Sequence, residues 1–69
     1  MQMKVNNRVR EMRQERSITQ VKMAEDIGIT RQTINAIEKG KYNPSLELTF
    51  RLLAYFDIPF EQLFYIEEE

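Results

Sequence analysis

Sixty-nine residues make one small domain, and a core of that size contributes only a few kcal/mol, so self-association is an available source of further stability. The chain has no cysteine and no histidine, which excludes a disulfide framework and a His/Cys metal site and fits a reducing cytoplasm. No apolar run approaches the roughly 18 residues of a membrane span, and the opening MQMKVNNRVR lacks the apolar core of a signal peptide.

In chain order, residues 1 to about 6 place Met3 and Val5 alternately with polar neighbours, which suits a short strand or an extended arm. Asn6 or Asn7 can cap a first helix that runs to about residue 16. Val5, Val9, Met12 and Arg16 share one stripe of that helix, with Arg13 at its edge. Ile18 stands where a hydrophobic staple would precede the next cap.

The stretch TQVKMAEDIGITRQTINAIEKGK, residues 19–41, reads as two short helices joined by a tight turn. Thr19 caps a helix over 20–27, because its hydroxyl can accept from the free N–H groups of the first turn. Gly28 suits the left-handed exit, and Thr30 caps a second helix from 31 to about 39, which Gly40 ends. Val21, Ala24, Ile27, Ile29, Ile34 and Ile37 fall where two crossing helices would touch, with Ala24 small at the close approach. This is the helix-turn-helix pattern. Lys22 stands where a capping box wants Glu or Gln. A cation there is locally unfavourable unless a phosphate sits beside it; otherwise it bends into solvent.

At roughly 100° per residue, Ile34 and Ile37 define the buried side of the second helix. Gln32, Asn35, Ala36 and Lys39 lie opposite, and Arg31 reaches outward from the start. Arg pairs with guanine, and Gln or Asn pairs bidentately with adenine. Glu38 lies at the edge of the buried side, as Arg13 does on the first helix. An Arg at the edge of a core stripe needs a partner, so an Arg13–Glu38 ion pair is expected.

Next comes the loop Lys41-Tyr42-Asn43-Pro44, since Asn-Pro favours turn initiation. Ser45 caps a core helix carrying Leu46, Thr49, Phe50, Leu52, Leu53 and Phe56, with Glu47 favourable in its first turn. Asp57-Ile58 breaks it, and Pro59 opens a last short helix with Phe60, Leu63 and Phe64 in it or at its end. Phe64-Tyr65-Ile66 then has strand character, and a strand needs a partner. The N-terminal stretch is the other strand-like segment, so the two pair antiparallel within one chain or across a dimer. The terminal run of glutamates would keep that edge soluble. The apolar excess at Phe56, Ile58, Phe60, Phe64, Tyr65 and Ile66 marks a dimerisation segment over about 56–66.

Charge is divided along the chain. Residues 4–41 hold nine bases against five acids, a balance of +4, whereas residues 42–69 hold one base against six acids, a balance of −5. One end suits phosphates and the other repels them.

With these residues in place, TQxxxAxxIGITRQTINAIEKGKYNPSLxL resembles the Cro/C1-type helix-turn-helix family, also called xenobiotic-response-element-type regulators. It is most similar to small stand-alone prokaryotic members with SRQTI-like recognition helices and a KYNPSL loop, over about residues 7–66. The resemblance implies an all-α, five-helix, lambda-repressor-like DNA-binding domain, with 20–27 as positioning helix and 31–39 as recognition helix. It implies base contacts from Arg31, Gln32 and, deeper, Asn35, with Thr30 beside them. It implies phosphate contacts from Gln20 and from Lys41, Tyr42 and Asn43, joined by Thr19, Thr33 and Lys39. The acidic tail and slightly negative net charge depart from the family pattern.

The expected function is sequence-specific binding of double-stranded DNA by a cytoplasmic homodimer on a palindromic operator, most simply as a repressor. The competing class is an antitoxin-like protein-binding module that binds DNA secondarily. An enzyme is not expected, because there is no His, no Cys and no Gly-rich phosphate loop. No cofactor, metal or membrane partner is expected. No sensory domain is attached, so no small-molecule ligand is evident.

Overall fold

The computed structural model describes residues 3–68. Strand β1 (Met3–Asn7) leads into helices α1 (Val9–Glu15), α2 (Gln20–Ile27), α3 (Arg31–Glu38), α4 (Leu46–Phe56) and α5 (Phe60–Leu63), and strand β2 (Phe64–Glu68) closes the chain. This is the all-α, five-helix arrangement expected, with the small terminal sheet. Residues 1 and 2 of the expected arm and residue 69 of the glutamate run lie outside the described residues.

The helix starts follow local chemistry. The hydroxyls of Thr19, Thr30 and Ser45 each accept the backbone N–H three residues on, from Lys22, Thr33 and Leu48, satisfying donors that have no acceptor within the helix. Arg8 holds the N-cap position of α1 without a side-chain bond, and Asn7 Oδ1 instead accepts from Val9 N–H at 3.1 Å. Two glycines supply left-handed exits. Gly28 has φ 83° and Gly40 φ 74°, and a Cβ at either would meet nothing within 4 Å, so the need is conformational, not spatial. Ser17 (φ 55°) and Asp57 (φ 56°) take the same role after α1 and α4 without being glycine.

The core is formed by Val9, Met23, Ala24, Ile34, Ile37, Leu48, Leu52, Phe56, Leu63 and Phe64. Thr49 is the buried polar residue, and its hydroxyl donates to Ser45 O at 2.8 Å. Three apolar residues expected inside are outside. Val21 is 53% exposed, while Met23 is fully buried in the core. The two differ by about 200° of helix, so only one can face inward. Leu46 and Phe50 on α4 are likewise exposed, and Leu48 is buried. Phe50 stands about 200° from both Leu48 and Leu52. Arg16 is exposed too; its guanidinium lies 5.1 Å over the Phe56 ring and donates to Phe56 O at 2.9 Å.

The two strands pair antiparallel within one chain, with Val5 opposite Ile66 and Asn7 opposite Phe64. Period-2 alternation puts Met3, Val5, Phe64 and Ile66 on one face of this ribbon. Phe64 reaches the core and the others do not. Asn7 Nδ2 donates to Ile37 O at 3.0 Å, which ties the base of the ribbon to the C-terminal turn of α3.

Candidate nucleic-acid interface

Helices α2 and α3 pack together with Ala24, Ile34 and Ile37 buried, which turns the opposite side of α3 to solvent. Arg31 and Gln32 are exposed at its start, and Asn35 and Ala36 are half-buried one turn on. The hydroxyls of Thr30 and Thr33 bond to one another at 2.9 Å beside them.

Behind this face lies a chain of hydrogen bonds. Arg13 binds Glu38 through two nitrogens, Nε to Oε2 at 2.7 Å and Nη2 to Oε1 at 3.1 Å. The two side chains are 11% and 4% exposed, so the sequence-predicted partners meet as a nearly buried, bidentate pair. Bonding to Glu38 raises the Arg13 pKa above its ordinary value, against the opposing effect of burial. Arg13 Nη1 also donates to Ile18 O at 2.9 Å, anchoring the connection before α2.

Gln20 extends the chain. Its Nε2 donates to Glu38 Oε1 at 3.1 Å and to Asn35 Oδ1 at 3.4 Å, and its Oε1 accepts from Arg31 Nη1 at 3.2 Å. An ionised carboxylate only accepts, so Glu38 holds the amide NH₂ toward itself and the amide oxygen toward Arg31. Gln20, Arg31 and Asn35 are thus brought together, while Gln32 stands free of this network at the centre of the exposed face.

Cations line the rim. Lys39, Lys41, Tyr42 and Asn43 are all exposed beyond α3. Lys41 N–H donates to Ala36 O at 3.0 Å, which holds the start of the loop against α3. Lys22 points elsewhere: its Nζ lies 3.0 Å from Asp26 Oδ1 on the same helix, and its pKa is raised by that bond. Asp26 also accepts from Tyr55 OH at 2.6 Å, and that bond, before the one from Lys22, lowers its pKa. Burial and then Asp26 push the Tyr55 phenol up to about 12.

A cavity of about 270 Å³ opens between α1, α2 and α3, lined by Arg10, Arg13, Gln20, Asn35, Glu38 and Lys39. Arg10 was not among the sequence-predicted residues. Its spacing of three from Arg13 puts both on one side of α1, a signal that was open to reading.

The candidate interface for a second chain needs correction. Phe56 is 2% exposed and Phe64 5% exposed. Both belong to this chain's own core, because α4 and the base of the ribbon close over them. Ile58 is half-buried against that core. Phe60, Tyr65 and Ile66 are exposed, and Val5 joins them through its pairing with Ile66. The Phe60 and Phe64 rings stack at 5.2 Å. An apolar cavity of about 290 Å³ is bounded by Val5, Phe60, Phe64, Tyr65 and Ile66. Arg8 lies 4.3 Å over the Tyr65 ring on the other face of the sheet.

Among the described residues, no group of three His, Cys, Asp or Glu side chains could hold a metal ion. No helix among them is long and apolar enough to cross a membrane.

A family model described as helix-turn-helix matches residues 9–63. An uncharacterized HTH-type transcriptional regulator of Bacillus subtilis (strain 168) is 43% identical over 65 residues, which is 94% of this chain and 98% of the relative. The cryptic phage CTXphi transcriptional repressor RstR of Vibrio cholerae is 33% identical over 58 residues, which is 84% of this chain and 52% of the repressor. Among solved structures, the restriction-modification controller protein C.AhdI of Aeromonas hydrophila superimposes with a TM-score of 0.72 at 29% identity, over 80% of this chain and 83% of that one.

Proposed function

This chain belongs to the Cro/C1-type helix-turn-helix family of DNA-binding transcriptional regulators, and on that premise we propose that it is a homodimeric repressor of a palindromic operator. The observation that carries the reading is the outward start of α3, where Arg31 and Gln32 stand exposed beside a rim of cations. In this reading Arg31, Gln32, Asn35 and Thr30 address base edges in the major groove. Thr19, Gln20, Thr33, Lys39, Lys41, Tyr42 and Asn43 approach the sugar-phosphate backbone, which fixes register without carrying sequence. A transcriptional repressor among the relatives supports the sign of regulation.

One motif covers one half-site, so a palindromic operator calls for two copies. The exposed apolar cluster of Val5, Phe60, Tyr65 and Ile66, which bounds one cavity, supports self-association there. The protein works in the cytoplasm, where its DNA is, and is not an enzyme; no metal, membrane or small-molecule ligand enters this reading. Selecting bound sequences from a random double-stranded pool tests it. The expected result is an inverted repeat with half-site centres about 34 Å apart, one turn of DNA. Recovery of no common sequence would contradict it. The second reading, an antitoxin-like module, rests on the exposed Leu46 and Phe50 as a further apolar surface. Co-purification of a stoichiometric protein partner, with no DNA retained, would favour it.

A further inference from the structure

We propose that Arg10 and Lys39 form a phosphodiester clamp across the mouth of the α1–α2–α3 cavity, a role not assigned above to Arg10; the inference rests on the DNA-binding reading. It follows from accounting for the charged groups and the Gln20 amide that line the cavity. Arg13 and Glu38 neutralise one another through two hydrogen bonds. Both donors of the Gln20 amide are engaged, by Glu38 and Asn35, and its oxygen accepts from Arg31. The Gln20 side chain therefore has no donor left for a phosphate. Its backbone N–H and that of Val21 belong to the first turn of α2, where no acceptor exists within the helix.

Of the charged groups, two exposed cations of the lining remain, Arg10 from α1 and Lys39 at the end of α3. Among the described residues neither takes part in a salt bridge. The other charges of the lining, Arg13 and Glu38, cancel one another, so the cavity carries two uncompensated positive charges. That arrangement suits an anion with several oxygens. A guanidinium can take two of them side by side, and an ammonium can take a third as a point charge. A cavity of about 270 Å³ leaves room for one phosphate entering from the rim. A backbone phosphate flanking the half-site is the anion that α3, seated in the groove, would bring there.

The clamp makes a prediction that separates it from the base-reading face. Arg10→Gln and Lys39→Gln should each weaken binding to operator and random DNA by the same factor. The slope of log affinity against log salt should flatten by about 0.9 in each variant, and by about twice that in the double variant. Between about 50 and 200 mM salt, the gap between wild type and either single variant should therefore narrow about threefold. Arg10→Lys, which keeps the charge, should restore most of the slope, showing that charge and not folding was lost. Wild-type slopes in both Arg10→Gln and Lys39→Gln, with a flattened slope in Lys41→Ala, would overturn the clamp and leave the DNA-binding reading standing. A wild-type protein with no salt-dependent affinity for DNA would overturn both.

Discussion

Glu38 has a side chain only 4% exposed and holds Arg13 and Gln20 together. Removing one partner of such a pair leaves the other charge without compensation in a poorly solvated place. Arg13→Met should therefore cost about 3 kcal/mol, and Arg13→Met with Glu38→Leu should cost much less, because matched apolar groups leave no orphan charge. A thermal or urea melt of both single variants and the double variant checks this. The pair was legible because each residue sits at the edge of an apolar stripe. The Gln20 bonds were not, because they span 11 to 18 residues and depend on how α3 crosses α2. A second residue-scale test concerns Tyr55 and Asp26. The Tyr55 phenol is raised in the folded state to about 12 from 10.0, so its contribution is intact below 10 and is lost as pH rises toward 12. The Asp26 carboxyl is lowered from 3.8, so its contribution is intact above that value and is lost as pH falls below it. Tyr55→Phe should flatten the alkaline limb of a stability-versus-pH curve and part of the acid limb. Unchanged limbs would show that the hydrogen bond does not persist in solution.

At the scale of elements, the caps carried most of the information. Thr19, Thr30 and Ser45 were legible as N-caps because a hydroxyl just before a helical period has a defined local use. The loss came where a helix packs on two neighbours. Choosing Val21 over Met23, and Leu46 and Phe50 over Leu48, follows from fitting one apolar stripe to one partner. In the folded chain α2 contacts α3 and α4, and the buried arc is rotated accordingly. Helix α1 ends without a glycine: Ser17 N–H donates to Gln14 O and Ile18 N–H to Arg13 O around Ser17 at φ 55°. That is the Schellman pattern, which favours glycine at its left-handed position. Ser17→Gly should stabilise the protein by about 0.5–1 kcal/mol, seen as a higher melting temperature with unchanged DNA affinity. A lower melting temperature would contradict the reading of this turn. Asn7 joins ribbon, α1 and α3 through two side-chain bonds, to Ile37 O and from Val9 N–H. Sequence placed it only as a cap, because the contact with α3 spans 30 residues.

Charge is divided along the chain, with a balance of +4 over residues 4–41 and −5 over residues 42–69. This division orients the motif toward DNA and keeps the acidic end away from it. The ribbon was legible as two strand-like ends needing a partner; whether they paired within or between chains was not, since both satisfy the same backbone groups. The exposed apolar residues were only half legible, because an apolar excess does not say which members the chain buries itself. Phe60→Asp or Ile66→Asp, both on exposed positions, should leave the monomer folded and weaken dimerisation and operator binding together. Sedimentation and a mobility shift on the same samples check this, and a wild-type monomer at high micromolar concentration would contradict it. The central claim, that α3 reads sequence while its surroundings hold phosphate, is tested most directly by the ratio of operator to random-DNA affinity. Gln32→Ala should cost about 1–3 kcal/mol on the operator and little on random DNA, lowering that ratio. Lys41→Ala should weaken both equally and flatten the salt slope by about one contact. A ratio left unchanged by both Gln32→Ala and Asn35→Ala would contradict the account.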